Sequence, residues 1–462
     1  MAADLCCPAG CAGAFSSACP ISSSKVDEPL SHETVRGGLY LAGRYALGVV
    51  VSLGNMLVMT WWIGPHAYGI FVTAISIVAL LAAVARSGID TYLVRREAAP
   101  DEVVYGTAAT VLLAISLALA MLAVAGTPVL IRWYGNREFA GPYFILLLTI
   151  PVAALTGVPM AKLERVLDFR RVAAIELSGQ SLGLVVSGLL AWFRMGVWAP
   201  VAGQIAWQLF TLIATAISAS MALRFRFDAG LAREMFSYGI GLTASLRVWQ
   251  LRTLVNPLLV GRFAGLEAVA FVALAVRIAE ALGTIRLAAG RMAIAALARL
   301  QSRREDFRKA LQQALYLQVI TLGPLLCGFA LLGPMILPHL AGARWTPSLA
   351  LYPFVAAGVL VNSVYNLQAS ALFVIGRQWL VLQSYSAHVA LLAAATLFLL
   401  PRYGIAGYGW AELIACGCYF IIHRGLRSEI AISYRQLAAC MAMSLPTLFV
   451  FPLFGLVRRI LQ

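Results

Sequence analysis

Charge is scarce in this sequence. Only 12% of its 462 residues are charged and 61% are hydrophobic, whereas soluble domains carry roughly a quarter charged residues and under half apolar ones. That leaves too little polar surface for a water-soluble particle of this length, which excludes an ordinary soluble enzyme or binding domain. Acidic residues are the rarer sign, 20 against 35 lysines and arginines. The net charge of +15 does not mark a nucleic-acid partner, because no soluble basic domain exists to bind one. The basic residues fall instead in short clusters between apolar runs, as loops obeying the positive-inside rule do.

Other absences narrow the classes further. No glycine motif that would cradle a nucleotide, no metal-ligand cluster and no nucleophile motif in a loop is present, so neither an enzyme, a metal nor a cofactor is expected. The apolar runs lack the period-2 alternation of barrel strands. Residues 1–37 lack the apolar core of a signal peptide, and Cys6, Cys7, Cys11 and Cys19 lack the paired spacing of a zinc site. A disordered cytoplasmic tail with reduced thiols is expected there. Cys327, Cys416, Cys418 and Cys440 lie in apolar runs and read as small core residues.

What is abundant is long apolar sequence. A spanning helix needs ~20 apolar residues to cross a ~30 Å hydrocarbon layer, and only helices and closed barrels satisfy their own backbone there. The candidates are Leu39–Ile63, Ile70–Leu93, Val103–Leu130, Pro142–Met160, Val172–Trp192, Trp198–Leu223, Phe236–Val260, Leu266–Met292, Leu311–Leu337, Pro347–Ile375, Trp379–Leu400, Ile405–Ile422 and Tyr434–Leu456. Arg86, Arg95 and Arg96, then Lys162, Arg165, Arg170 and Arg171, then Arg224, Arg226 and Arg233, then Arg303, Arg304, Arg308 and Lys309 crowd alternate loops. Those loops and the N-terminus are expected in the cytoplasm. Trp61, Trp62, Trp133, Trp198 and Trp345 fall near the opposite face, as an interfacial belt would. Arg458 and Arg459 end the chain on the wrong side of that scheme.

The chain repeats weakly at an offset of about 200 residues. Gly64–Gly69 after the first span parallels Gly261–Gly265 after the seventh, and Gly196-Val197-Trp198-Ala199 parallels Gly407-Tyr408-Gly409-Trp410-Ala411. The expected fold is all-α and polytopic, with about 12–14 spans. Two six-helix bundles, 38–223 and 236–427, would be related by a pseudo-two-fold axis along the membrane normal. A cytoplasmic linker over 224–235 joins them, and 428–462 adds a C-terminal helix. Two parallel repeats around a cleft suit alternating access.

Four motifs carry a family resemblance. Gly64-Pro65-His66-Ala67-Tyr68-Gly69 resembles the turn after the first helix of polysaccharide-export flippases, and Leu163-Glu164-Arg165-Val166-Leu167-Asp168-Phe169-Arg170-Arg171 resembles their loop between helices four and five. Gly196-Val197-Trp198-Ala199 and Gly342-Ala343-Arg344-Trp345-Thr346-Pro347-Ser348 resemble two further signatures. The family is the polysaccharide-transporter branch of the multidrug/oligosaccharidyl-lipid/polysaccharide exporters, which includes Wzx-type flippases. The resemblance implies a MATE-like fold in the bacterial inner membrane and export of a polyprenyl-diphosphate-linked oligosaccharide for exopolysaccharide or surface polysaccharide. It implies as partners membrane lipids and the polysaccharide polymerase and chain-length/export machinery. Two departures stand out: Asn256-Pro257 where many relatives place an acidic residue, and no fourteenth helix.

Charges inside spans mark candidate sites, since each costs ~2.5–3.5 kcal/mol at the bilayer centre. Arg247 and Arg277 each lie ~16 Å deep by helix rise, from opposite ends of adjacent spans. At about 100° per residue Arg277, Glu280, Thr284 and Arg291 share one face, while Arg286 points away. Guanidinium is a planar fork that binds phosphate bidentately. Arg247 and Arg277 are therefore expected to hold the diphosphate, with Arg44 and Arg252 along its path. Glu280, His388 and Asn55 are candidates for coupling or gating. Plainer readings stand beside these: an i,i+3 ion pair between Arg277 and Glu280, a snorkelling Arg44, and a His388 that only bonds neighbouring helices. Glu176 and Glu412 read as interfacial. The competing functions are a multidrug or cation antiporter of the same fold, which would want an acidic or aromatic cavity, and a multispanning polysaccharide polymerase, which would want a large outer loop.

Overall fold

A computed structural model describes residues 47–48, 51–86, 88–222, 224–284, 303–430 and 434–450, with single residues 297, 300 and 432; the side chains of 238–247 and 436 are not described. The expectations for residues 1–37, Arg44, Arg286, Arg291, Arg458 and Arg459, and for the side chain of Arg247, lie outside these residues. All regular structure described is helical. The helices are α1 (51–62), α2 (Pro65–Arg86), α3 (Ile89–Arg95), α4 (Glu102–Tyr134), α5 (Ala140–Leu147), α6 (Thr149–Arg165), α7 (Phe169–Trp192) and α8 (Trp198–Ser218). They continue with α9 (Ala229–Val255), α10 (Leu266–Leu282), α11 (Arg304–Ala341), α12 (Pro347–Val374), α13 (Gln378–Tyr403), α14 (Ile405–Ala415), α15 (Tyr419–Arg427) and α16 (Arg435–Leu448). Among the described residues nine helical stretches are long and apolar enough to cross a membrane, α5–α6 and α14–α15 each counting as one.

Aspartates set where several helices begin. Asp101 accepts from Val104 N at 2.8 Å, Asp168 from Arg171 N at 3.2 Å and Asp228 from Leu231 N at 2.8 Å. Each satisfies an orphan amide of a first helical turn. Asp228 corrects the expected linker: α9 begins at Ala229, so much of 224–235 is helix, not connection. Ala232 and Met235 of that segment are buried in the core of the first half. Breaks also differ from the continuous spans expected. Gly88, at φ 77°, separates α2 from α3. The Arg165 guanidinium then donates to the carbonyls of Leu93 at 3.3 Å and Ala98 at 3.1 Å, holding the frayed end of α3. In α9 the ladder widens to a π turn over Asn256–Val260, where Pro257 has no N–H to give.

Buried apolar side chains form two main cores, one built largely from 70–201 and one largely from 255–448. Left-handed residues recur between them in register: Gly64 with Gly265, Gly135 with Gly342, Leu167 with Gly376, and Gly196 with Gly404. The first pair each precede a helix that lines the boundary, α2 and α10. These two helices touch so closely that a Cβ on Gly69 would lie 1.9 Å from the Leu266 carbonyl oxygen. Within the first half, a Cβ on Gly203 would meet the Ser187 hydroxyl at 1.8 Å, the close small-residue packing by which helices associate in lipid.

At the α1–α2 end the halves are joined. Trp345 Nε1 donates to the Thr60 carbonyl at 2.9 Å, and its ring meets Tyr68 and Phe271 at 5.7 and 6.0 Å. Trp345 is fully buried, at 0% exposure. It is therefore a plug between halves and not a member of the interfacial belt, whereas Trp61, Trp62, Trp133 and Trp198 are exposed.

Candidate functional site

Two polar cavities lie behind this joint. The larger, of about 490 Å³, is walled by α1, α2, α7, α8 and α10 and so by both halves. Its polar lining includes Asn55, Tyr68, Glu176, Gln180, Arg277 and Glu280, with Thr284 just beyond α10. The face calculated from helical periodicity is thus the one that meets the cavity: Arg277, Glu280 and Thr284 all line it. Arg277 stands exposed there and makes no ion pair or hydrogen bond among the described residues. Asn55 Oδ1 and Gln180 Oε1 are buried without a hydrogen-bond partner among the described residues. Polar atoms in that condition cost ~1–3 kcal/mol each, so the wall has bonding capacity that the protein itself does not use.

The smaller cavity, of about 180 Å³, lies within the second half among α9, α10, α12, α13, α14 and α15. Arg252 reaches across it, 3.4 Å from Glu280 Oε1 on one side and 3.4 Å from Glu412 Oε1 on the other. Tyr408 donates its hydroxyl to the same Glu412 oxygen at 2.8 Å. The Arg252 guanidinium lies 5.2 Å from the Trp249 ring centroid, within cation–π range. Trp249 in turn meets Tyr385 at 4.8 Å and His388 at 5.1 Å. His388 is buried, with Nδ1 3.4 Å from the Cys418 thiol and Nε2 without a hydrogen bond among the described residues. Glu280 lines both cavities and is the wall they share.

The geometry sorts the expected residues. Arg277, Glu280 and Asn55 come together at the larger cavity; Arg252 and His388 belong to the smaller one. The i,i+3 pair between Arg277 and Glu280 does not form: Glu280 turns to Arg252, which is 28 residues away in sequence. Glu412 is a correction, since it is 5% exposed and ion-paired where an interfacial residue was expected. Its position seven residues into the twelfth expected span was the available signal. Glu176 likewise faces the larger cavity, not the interface. Among the described residues no cluster of three metal-binding side chains occurs.

Helices of this length and apolarity, wrapped around polar cavities, define a polytopic all-α membrane protein. Its fold is shared with solved transporters. It superposes on the lipid II flippase MurJ in an inward closed conformation with a TM-score of 0.75, at 14% identity over 91% of this chain and 93% of that one. An inward-facing multidrug resistance MATE family transporter of the MOP superfamily matches with a TM-score of 0.69, at 15% identity over 83% of this chain and 94% of that one. Residues 58–350 match the family model described as polysaccharide biosynthesis protein, and the chain belongs to that family. A curated relative, the succinoglycan biosynthesis transport protein ExoT of Rhizobium meliloti (strain 1021), is 24% identical over 416 residues, covering 85% of this chain and 81% of the relative. The resemblance of the four motifs to the polysaccharide-transporter branch agrees with these matches.

Proposed function

We propose that this protein flips a polyprenyl-diphosphate-linked oligosaccharide across the bacterial inner membrane by alternating access. The observation that supports it is Arg277, a guanidinium with no protein partner among the described residues, on the wall of a cavity between two halves. Holding such a cation in a membrane is costly, and a diphosphate supplies the charge and the acceptor geometry that offset the cost. Asn55 and Gln180 offer further bonds to the headgroup, while the polyprenyl tail stays in lipid. By its depth in the sequence Arg247 is expected to share the diphosphate with Arg277, and Arg44 to lie along its path. Arg252, committed to two carboxylates, holds Glu280 in place and is not a phosphate ligand. The N-terminus is cytoplasmic in this reading, and the product passes to the polymerase and chain-length/export machinery. A cationic drug would be repelled by Arg277, which disfavours the antiporter.

The test is complementation of a strain lacking the gene with Arg277→Ala, after checking that the variant inserts. Lost extracellular polysaccharide with lipid-linked precursor trapped on the cytoplasmic side is the expected outcome. Normal polysaccharide would remove the anion seat. A deletion strain with unchanged surface glycan and altered drug sensitivity would replace the flippase with the antiporter.

A further inference from the structure

We propose that a third cavity, at the end of the first half expected to face the cytoplasm, seats the phosphodiester of one anionic phospholipid. It has a volume of about 220 Å³ and lies between the start of α4, the end of α6 and the stretch that follows α8. Its polar lining is Glu102, Tyr105, Lys162, Ser220 and Arg224. It shares no residue with the two cavities described above, so it stands or falls separately from the anion seat at Arg277.

The wall of this cavity is built by a strap. After α8 the chain lies so close to α4 that a Cβ on Gly106 would come 2.8 Å from the Arg224 carbonyl oxygen and 3.1 Å from Arg226 Cβ. Arg226 N donates to the Gly106 carbonyl at 3.4 Å, and the Thr110 hydroxyl donates to the Arg226 carbonyl at 2.8 Å. The strap brings Arg224 to 2.8 Å from Glu102 and Arg226 to 4.0 Å from the same carboxylate oxygen. A guanidinium carries five N–H donors, so Arg224 keeps donors for a second acceptor while Glu102 holds it in place. The charge of Glu102 is met by two arginines.

Lys162 is the cation that remains. It is half-buried and lines the cavity, and its ammonium has no ion pair or hydrogen bond among the described residues. Arg165, one turn further along α6, commits its guanidinium to the carbonyls that end α3. Three cations, Lys162, Arg224 and Arg226, thus surround one carboxylate. An ammonium binds phosphate as a point charge, and a guanidinium binds it as a planar fork.

Size and surroundings select the ligand. A cavity of ~150 Å³ accommodates benzene, so about 220 Å³ admits a phosphate with the first atoms of its ester groups and leaves acyl chains outside. While Arg224 and Arg226 reach Glu102, the alternate residues Phe225 and Phe227 are 53% and 66% exposed. Exposed phenylalanine beside arginine suits the boundary between headgroups and acyl chains. A free phosphate gains nothing from that apolar margin, whereas a phospholipid meets both the cations and the rings. Basic pockets between membrane helices on the cytoplasmic side bind anionic headgroups by this chemistry.

Native mass spectrometry of the purified full-length protein counts bound lipids one at a time and tests the seat. Phosphatidylglycerol is expected to bind at least about tenfold more tightly than phosphatidylcholine. Lys162→Gln and Arg224→Gln should each weaken phosphatidylglycerol about fivefold, the equivalent of ~1 kcal/mol per cation near a lipid surface, and leave phosphatidylcholine unchanged. Lys309→Gln, at the start of α11 in the second half, controls for general surface charge and should change the affinity by less than about twofold. No preference for phosphatidylglycerol in the native protein overturns the seat. So does a preference that survives in both cavity variants, or an equal loss in Lys309→Gln. Inorganic phosphate that displaces phosphatidylglycerol at equal concentration would make this a site for free phosphate and overturn the lipid assignment.

Discussion

Two arginines of adjacent helices, Arg277 on α10 and Arg252 on α9, face two cavities and live under opposite conditions. Arg252 has a carboxylate on each side and an aromatic ring beneath it. Arg277 has none of these among the described residues. In lipid the same charge is costly at both places, and only Arg252 has that cost met by the described protein. A doubly paired cation is part of the scaffold. A cation without a protein partner among the described residues, on a cavity wall, is what the proposed flippase reading takes as the seat for an anion from elsewhere. Glu280 belongs to both surroundings, and its pairing with Arg252 instead of the nearer-in-sequence Arg277 leaves Arg277 without a carboxylate among the described residues.

The largest effect is expected from breaking the scaffold. Arg252→Met strands the buried Glu412, 5% exposed, while Glu280 at 37% exposure keeps access to the cavity; removing one partner of a buried ion pair costs roughly 3–5 kcal/mol. Thermal unfolding in detergent should show a large loss, and adding Glu280→Gln with Glu412→Gln should recover most of it. A single variant as stable as the native protein would mean that the carboxylates do not depend on Arg252. Next comes the contact between α2 and α10. Gly69→Ala drives a methyl into the Leu266 carbonyl, and such overpacking costs about 1–3 kcal/mol. It should lower the unfolding temperature and, by moving α10, weaken transport as well. Unchanged stability would show that α2 and α10 are not in fixed contact. Tyr408→Phe removes one hydrogen bond to a charged acceptor, roughly 1.5–3 kcal/mol at most, and sharpens how much of Glu412 is held by Arg252 alone. The smallest stability change is expected at the seat itself. Arg277→Met should stay within about 0.5 kcal/mol of native or stabilise slightly, since nothing in the described protein loses a partner.

How much of this could be read in the residues follows from how local each feature is. Helix type came from run length, because twenty apolar residues leave the chain few alternatives in lipid. The Arg277–Glu280–Thr284 face was legible because it depends only on the turn angle of one helix. The Arg252–Glu412 pair spans 160 residues, and no local pattern ties those positions together. Trp345 misled for the same reason: a tryptophan at a span end resembles a belt residue until Thr60, 285 residues away, is found accepting its N–H. The start of α9 was legible in principle. Asp228 caps it, but Arg224, Arg226 and Arg233 around the cap give the stretch the charge of a loop.

The most direct test of the account is the affinity of the purified protein for sugarless polyprenyl diphosphate, measured for native, Arg277→Ala and Arg277→Lys proteins at matched stability. Loss of about tenfold or more in Arg277→Ala, with partial recovery in Arg277→Lys, is the predicted result, since lysine restores charge without the planar fork. Equal affinity in all three would contradict the claim that Arg277 is the anion seat.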